Sequence, residues 1–158
     1  MKKSVFLYLV LVIAILFTGC AKKPPENSAP PASIALDMAA IYNKMNKSVD
    51  MPKMLELDDT MKMDFCGVDA SKCKQAYMYI CEDSLRADEI WLIEANDEAY
   101  LKEIETLLES RIKAKEAESI TYSPEQHAII QKHKVIRSGN CIVLIVSPDV
   151  DALAKAVQ

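Results

Sequence analysis

The residues of this chain with the most reactive side chains are its five cysteines, Cys20, Cys66, Cys73, Cys81 and Cys141. A cysteine thiol can form a disulfide, bind a metal ion, carry a lipid or act as a nucleophile. Cys66 and Cys73 lie close together in a turn-rich segment, which makes them the candidate disulfide. Cys81 and Cys141 lie in apolar, strand-like segments, where a free cysteine packs as a small hydrophobic residue.

Cys20 differs from the other cysteines because of the segment that precedes it. Lys2-Lys3 is followed by an apolar run over 5–17 and then by small residues, which is the order of a secretory signal peptide. The run is shorter than the roughly 20 residues of a membrane-spanning helix, so an uncleaved anchor is the less favoured alternative. Leu16–Cys20 resembles the lipobox of bacterial lipoproteins. This resemblance implies cleavage before Cys20 and attachment of diacylglycerol to its thiol.

These features divide the chain into a signal peptide over 1–19, a lipidated tether over 20–32 and a single globular domain over 33–158. The tether is rich in proline and alanine and has no apolar periodicity, as expected of a spacer. Two acyl chains would hold the protein stably on the bilayer. We therefore expect an extracytoplasmic protein that is anchored in the cell membrane through Cys20, in a compartment where disulfides can form.

The charge of the chain argues against some classes of partner. The formal net charge is −4, and removal of Lys2 and Lys3 with the signal peptide makes it −6. A negative domain does not attract nucleic acid, and it does not attract an anionic membrane surface except through its lipid. The expected partners are the membrane and an envelope protein or ligand.

The pattern of apolar residues predicts two β-hairpins. The first joins strands at 75–81 and 89–95, and the second joins strands at 134–137 and 141–146 through Ser138-Gly139-Asn140. The last of these strands has no polar residue, which predicts an interior position in the sheet. Alternate residues on both sides of the first hairpin are apolar. Helices therefore cover both faces of the sheet, or one face is left as an open aromatic patch.

Helical periodicity predicts the remaining elements. A helix capped by Ser33 carries an apolar stripe, and Asp58 to Gly67 forms a short helical turn that is capped by Asp59 and ended by Gly67. A long helix follows Asn96 or Asp97 and runs to about Glu116, and Ser123-Pro124 begins another in which Gln126 completes a capping box. The last helix follows Ser147-Pro148. The apolar positions expected to face the core are Ile34, Met38, Ile41, Tyr42 and Met45 in the first helix, Leu101, Ile104, Leu108 and Ile112 in the long helix, and Val150, Leu153, Ala154 and Val157 in the last.

Together these elements predict an α+β fold. The expected domain has a four-stranded, mainly antiparallel sheet made of two hairpins with packed helices, in the order α-ββ-αα-ββ-α.

The other residues that could do chemistry do not form a recognisable motif. His127 and His133 are spaced so that they point away from each other on a helix, which does not suit zinc. A calcium loop and a Gly-rich phosphate loop are both missing, and no G-x-S-x-G surrounds a serine. The acidic residues fit solvated caps, turns and strand ends; they are Asp58, Asp59, Asp64, Glu82, Asp83, Asp88 and Glu94. We therefore predict no catalytic, cofactor-binding or metal-binding residue and no cofactor.

Short motifs in the order expected of a known family run through 57–157. They are Phe65–Asp69 before the first hairpin, Asp88–Ile90 at its second strand, Asn96-Asp97 at the long helix, and Gly139-Asn140 before 142–147. The segment resembles the bacterial lipoprotein family known as domain of unknown function 4358. The resemblance implies a small extracellular lipid-anchored domain with no assigned activity.

Three functions follow from these observations. The favoured one is a non-enzymatic module at the cell envelope that binds a protein or a ligand. The alternative is a thiol redox or metal-binding domain that uses Cys66, Cys73, Cys81 and Cys141, although no C-x-x-C pair is present. The third is an envelope hydrolase without a recognisable motif.

Overall fold

A computed structural model describes residues 36–121 and 123–158 of the chain. The predicted signal peptide, the tether, Cys20, Ser33 and Ile34 lie outside the described residues. Within them, no helix is both long enough and apolar enough to cross a membrane.

The described residues form one antiparallel sheet, flanked by helices, so the α+β class is confirmed. Its strands are β1 Met54–Glu56, β2 Cys73–Cys81, β3 Glu89–Ala95, β4 Lys134–Ser138 and β5 Cys141–Val146, in the spatial order β1-β2-β3-β5-β4. The predicted count of four strands is wrong because β1 was missed. This edge strand has three residues, too few to show a period of two. Both predicted hairpins are present, and β5 lies inside the sheet between β3 and β4.

The described residues form five α-helices. They are α1 Met38–Ser48, α2 Asp59–Cys66, α3 Glu98–Ser119, α4 Pro124–Gln131 and α5 Val150–Ala154, with short 3₁₀ helices at Ala70–Lys72 and Lys155–Val157. Two predicted caps are wrong, since Asp37 rather than Ser33 caps α1 and Asp58 rather than Asp59 caps α2. In each case the aspartate carboxylate accepts a bond from a backbone N–H of the first turn. Gly67 ends α2 in the left-handed conformation, as predicted.

Helices cover both faces of the sheet, which decides between the two arrangements that the sequence left open. Met78 and Trp91 point to one face, where they pack with α3 and with Ile130 of α4. Tyr79 and Leu92, one residue further along each strand, point to the other face and pack with α1 and α5. We call these the α3 face and the α1 face. Each predicted apolar position in the described parts of α1, α3 and α5 is buried or half-buried.

Candidate functional site

A buried carboxylate on the α3 face is held by two positive side chains. Glu89 is the first residue of β3 and has no solvent exposure. Its Oε1 accepts from Arg111 Nε at 3.0 Å, and its Oε2 accepts from Arg111 Nη2 at 3.0 Å and from Lys115 Nζ at 2.6 Å. The indole N–H of Trp91 also donates to Oε1, at 2.7 Å. We call these four residues the Glu89 cluster.

The periodicities of a strand and a helix bring the Glu89 cluster together. Glu89 and Trp91 are two residues apart on β3, so both point to the α3 face. Arg111 and Lys115 are four residues apart on α3 and follow Leu108 at i+3 and i+7, so they continue the apolar stripe of that helix. Neither Arg111 nor Lys115 is among the site residues expected from the sequence. Their position in line with the apolar stripe is the feature of the sequence that indicates partial burial.

The Glu89 cluster carries one negative and two positive charges. Burial raises the pKa of the Glu89 carboxyl, but the charges of Lys115 and Arg111 outweigh burial and hold that pKa below its ordinary value. The carboxylate therefore stays ionised, and one positive charge in the cluster is not neutralised by Glu89. Lys115 keeps 13% of its side chain exposed and Arg111 keeps 28%, and both reach a neighbouring cavity.

This cavity lies between the β2–β3 loop, α3 and α4, and we call it the loop pocket. Its volume is about 390 Å³, within the range of sites that hold small molecules. Apolar side chains and charged or hydroxyl groups both reach it. The lining residues are Ile80, Cys81, Ser84, Leu85, Arg86, Ala87, Asp88, Arg111, Lys115, Glu118, Ser119, Ser123, Gln126 and Ile130.

Asp88, which lines the loop pocket, has a buried carboxylate. Only 4% of this residue is exposed, and its Oδ2 accepts from Arg86 Nε at 3.0 Å. Its Oδ1 is fully buried, and no described residue donates a hydrogen bond to it. A buried carboxylate oxygen without a donor is unfavourable by a few kcal/mol, so such groups usually have a partner. The sequence pattern favours an exposed strand end for Asp88, so its burial is a difference from that expectation.

The loop that forms one wall of the pocket is tied to the helices. The backbone N–H of Ala87 donates to Gln126 Oε1 on α4 at 2.8 Å. This contact corrects the predicted capping box, because the amide oxygen of Gln126 binds the loop and the Ser123 side chain makes no capping bond. Leu85, at the loop tip, is 78% exposed on the rim. The pocket therefore has a fixed wall and an apolar rim.

The four cysteines of the described residues lie at the ends of helices and strands. Cys66 ends α2, Cys73 begins β2, Cys81 ends β2 beside the loop pocket, and Cys141 begins β5 on the α1 face. All four are free thiols, including the candidate pair Cys66 and Cys73. Burial raises the pKa of the Cys66 thiol to about 11, with a further contribution from Glu89, and burial likewise raises the pKa of Cys73 to about 11. Such thiols carry little thiolate at neutral pH, whereas redox cysteines have a lowered pKa.

Ser119 and His127 form a polar contact beside the loop pocket. Ser119 Oγ lies 3.1 Å from His127 Nδ1 and 3.2 Å from the carbonyl oxygen of Glu116. A hydroxyl has one proton, and when Ser119 donates it to Glu116 the histidine must be the donor of the other bond. Among the described residues, no hydrogen-bonded carboxylate orients His127 as in a catalytic triad. We interpret the pair as a link between α3 and α4.

The other candidate residues of the sequence are dispersed. Asp59 pairs with Lys62, Glu82 with Lys53, and Glu94 with Lys74 on the α1 face. Asp64 is exposed, Asp83 bonds the backbone of its own loop, and His133 bonds the carbonyl oxygen of Ile130. Within residues 36–121 and 123–158, no three of the histidines, cysteines and acids are grouped so that they could hold a metal ion. The loop pocket is thus the place where the described residues bring chemical groups together.

Comparison with known proteins identifies a family but no activity. The model of the family described as "Domain of unknown function (DUF4358)" matches residues 47–147, which share residues 57–147 with the segment in which the sequence resembles the family. No curated protein and no solved structure matches the chain.

Proposed function

Since the chain belongs to the family described as domain of unknown function (DUF4358), we propose its function from its own geometry: it is a lipid-anchored, extracytoplasmic domain that binds a ligand in the loop pocket without chemical conversion. The observation that carries the proposal is the positive charge of Lys115 and Arg111 that Glu89 does not neutralise, because both side chains stay partly exposed and line the pocket. A ligand with an anionic group would bind to this charge.

The anchoring part of this proposal rests on the sequence of residues 1–20. The signal-peptide pattern over 1–19, the lipobox-like Leu16–Cys20 and the proline-rich tether to residue 32 support a position on the outer face of the membrane. In Cys20→Ala the protein should lose its lipid mass and leave the membrane fraction. If Cys20→Ala stays bound to the membrane through an uncleaved helix, the lipoprotein assignment is wrong.

The binding part can be tested from the rim of the pocket. A photo-crosslinking amino acid at Leu85, irradiated in intact cells, should give a reproducible added mass on the protein. The same amino acid at Val135 is the matched control, because this exposed apolar residue lies on the edge strand β4, outside the pocket lining. Equal products from both positions, or no product from Leu85, would contradict binding at the pocket.

The geometry favours ligand binding over the two alternatives, thiol chemistry and hydrolysis. The raised pKa values of Cys66 and Cys73 disfavour the thiolate that redox chemistry or metal binding by these residues requires. For hydrolysis, the lowered pKa of Glu89 leaves it without a proton to donate as a general acid. The Ser119 hydroxyl is bonded to the Glu116 carbonyl, which does not prepare it as a nucleophile.

A further inference from the structure

The two cations of the Glu89 cluster lie side by side on the wall of the loop pocket. Lys115 Nζ, at 2.6 Å, and Arg111 Nη2, at 3.0 Å, donate to the same oxygen atom, Oε2 of Glu89. Both cations line the pocket, whereas Glu89 is not among the lining residues and has no solvent exposure. The cations therefore separate the buried carboxylate from the pocket, and one anionic group in the pocket can contact both of them.

Both cations keep donors that Glu89 does not use. The ammonium of Lys115 has three N–H bonds, and one hydrogen bond to Glu89 joins it to the described residues. Arg111 uses Nε and Nη2 on the same carboxylate, which leaves its Nη1 group. Hydrogen bonds from such charged donors to a carboxylate are about twice as strong as bonds between neutral groups. The free donors therefore favour a ligand that carries a carboxylate.

The charge balance of the pocket limits the charge of the ligand. Glu89 neutralises one of the two cations, and Asp88 is paired with Arg86. The positive charge that is left matches the single charge of a carboxylate better than a phosphate monoester, which carries about 1.5 to 2 negative charges at neutral pH. Glu118 also lines the pocket, but it is exposed, so solvent and salt screen its charge.

An apolar surface lies beside these charges. Ile80, Ala87 and Ile130 line the pocket, and Leu85 stands at its rim with 78% of its surface exposed. An alkyl chain that covers this surface would remove it from water, which is favourable. The volume of about 390 Å³ is near the lower end of the range for small-molecule sites, so the chain must be short.

From these groups we infer that the loop pocket binds a small monocarboxylate with a short alkyl chain. The carboxylate lies at Lys115 and Arg111, and the chain packs on the apolar wall as far as Leu85. This inference rests on the proposed binding function and specifies the chemical class of the ligand. Glu89 does not contact the ligand; it positions the two cations on the pocket wall.

Four small probes separate the contribution of the charge from that of the chain. Hexanoate has both, hexanamide is neutral, acetate lacks the longer chain, and hexyl phosphate carries more charge. Each probe is titrated into the full-length protein in nonionic detergent and followed by the indole N–H resonance of Trp91, the one tryptophan of the chain. This resonance reports on the pocket wall, because the indole donates to Oε1 of Glu89, which also accepts from Arg111.

We expect hexanoate to shift the Trp91 resonance in a saturable way. Hexanamide should bind about tenfold or more weakly, because it loses hydrogen bonds between charged groups. Acetate should also bind about tenfold or more weakly, because it loses most of the apolar contact. Hexyl phosphate should bind more weakly than hexanoate. If any of these three probes binds as tightly as hexanoate, the pocket does not select a monocarboxylate with an alkyl chain and the inference is wrong.

A substitution that strengthens binding completes the test, because a folding defect cannot cause such a gain. Glu118→Gln removes a negative charge from the pocket lining and leaves the Glu89 cluster intact. At low salt, hexanoate should bind this variant about twofold or more tightly than the wild type, and hexanamide should bind both equally. Glu109→Gln, at an exposed position of the same helix outside the lining, is the matched control and should bind hexanoate like the wild type. Unchanged or weaker binding of hexanoate by Glu118→Gln would overturn the inference.

Failure of this inference is distinguishable from failure of the proposed function. The absence of a Trp91 shift with hexanoate up to about 10 mM, weaker than ordinary ligand affinities, would overturn the monocarboxylate ligand. A Leu85 photo-crosslink of some other mass would then retain a pocket-binding function. The absence of both would overturn the two proposals together.

Discussion

Nζ of Lys115, on the long helix α3, lies 2.6 Å from Oε2 of Glu89, the first residue of the middle strand of the sheet. The contact joins a helix and a strand through charges in a region that is otherwise apolar. Because Glu89 has no solvent exposure, its charge depends on Lys115 and Arg111 for stabilisation. The stability of the domain and the shape of the loop pocket therefore depend on the same residues.

Replacement of Glu89 by glutamine should strongly destabilise the domain. The change leaves Arg111 and Lys115 without their counter-charge, and loss of one partner of a buried ion pair lowers the free energy of unfolding by about 3–5 kcal/mol. Urea denaturation followed by the fluorescence of Trp91, the one tryptophan of the chain, measures the effect. Glu109→Gln is the control, since Glu109 pairs with Lys113 on the exposed side of α3 and should change stability by less than about 0.5 kcal/mol. Equal effects of the two substitutions would show that the Glu89 cluster is not a stabilising unit.

Acid should remove the stabilisation that Glu89 provides. The pKa of this carboxyl is lower in the folded protein than its ordinary value of 4.5, so its contribution is complete above pH 4.5 and is lost as pH falls below that value. The difference in unfolding free energy between the wild type and Glu89→Gln should therefore shrink as pH falls below 4.5. Denaturation curves of both proteins between neutral pH and pH 3 test this, and a difference that does not depend on pH would contradict it.

Much of the fold could be predicted from the sequence, because apolar periodicity is a local signal. The bounds of β3 and β5 were predicted without error, and the apolar stripe of α3 was assigned correctly. β1 was missed because a three-residue edge strand is formed by its pairing with β2 and not by a pattern of its own. The candidate site was missed for a related reason. Burial of Asp88 and Glu89 depends on where the chain brings α3 and α4, which no local pattern contains.

The cysteines of the described residues, of which Cys73 is half-buried and the other three are buried, should be inert at neutral pH. The pKa values of Cys66 and Cys73 are raised to about 11, which leaves a small thiolate fraction at neutral pH. A thiol-specific reagent should therefore react slowly with the native Cys20→Ala protein. After denaturation, the reagent should react with four thiols. The reaction of the native protein should accelerate as the pH approaches 11. Two thiols in the denatured protein without reductant would instead show that one disulfide forms among these four cysteines. Rapid reaction of a native thiol at pH 7 would support the thiol-based alternative.

Gly67→Ala should destabilise the end of α2. Gly67 has a φ of 72°, and an added Cβ would lie 2.9 Å from Leu107 Cδ2 on α3. The left-handed conformation alone is unfavourable for alanine by about 1–2 kcal/mol, and the contact with Leu107 adds to this. Denaturation of Gly67→Ala with and without Leu107→Ala, each compared with its parent, separates the two contributions. A smaller effect of Gly67→Ala in the Leu107→Ala background is expected, and equal effects would mean that the backbone alone is responsible.

The position of β3 in the middle of the sheet has a consequence for the order in which the chain folds. β2–β3 and β4–β5 are hairpins of neighbouring strands, which can form early because the loops that they close are short. The pairing of β3 with β5 joins segments that are separated by all of α3 and α4. This distant pairing also completes the two strands whose residues are all buried. We therefore expect the meeting of the two hairpins to limit the rate of folding, so that substitutions at the β3–β5 seam slow folding more than substitutions at β1.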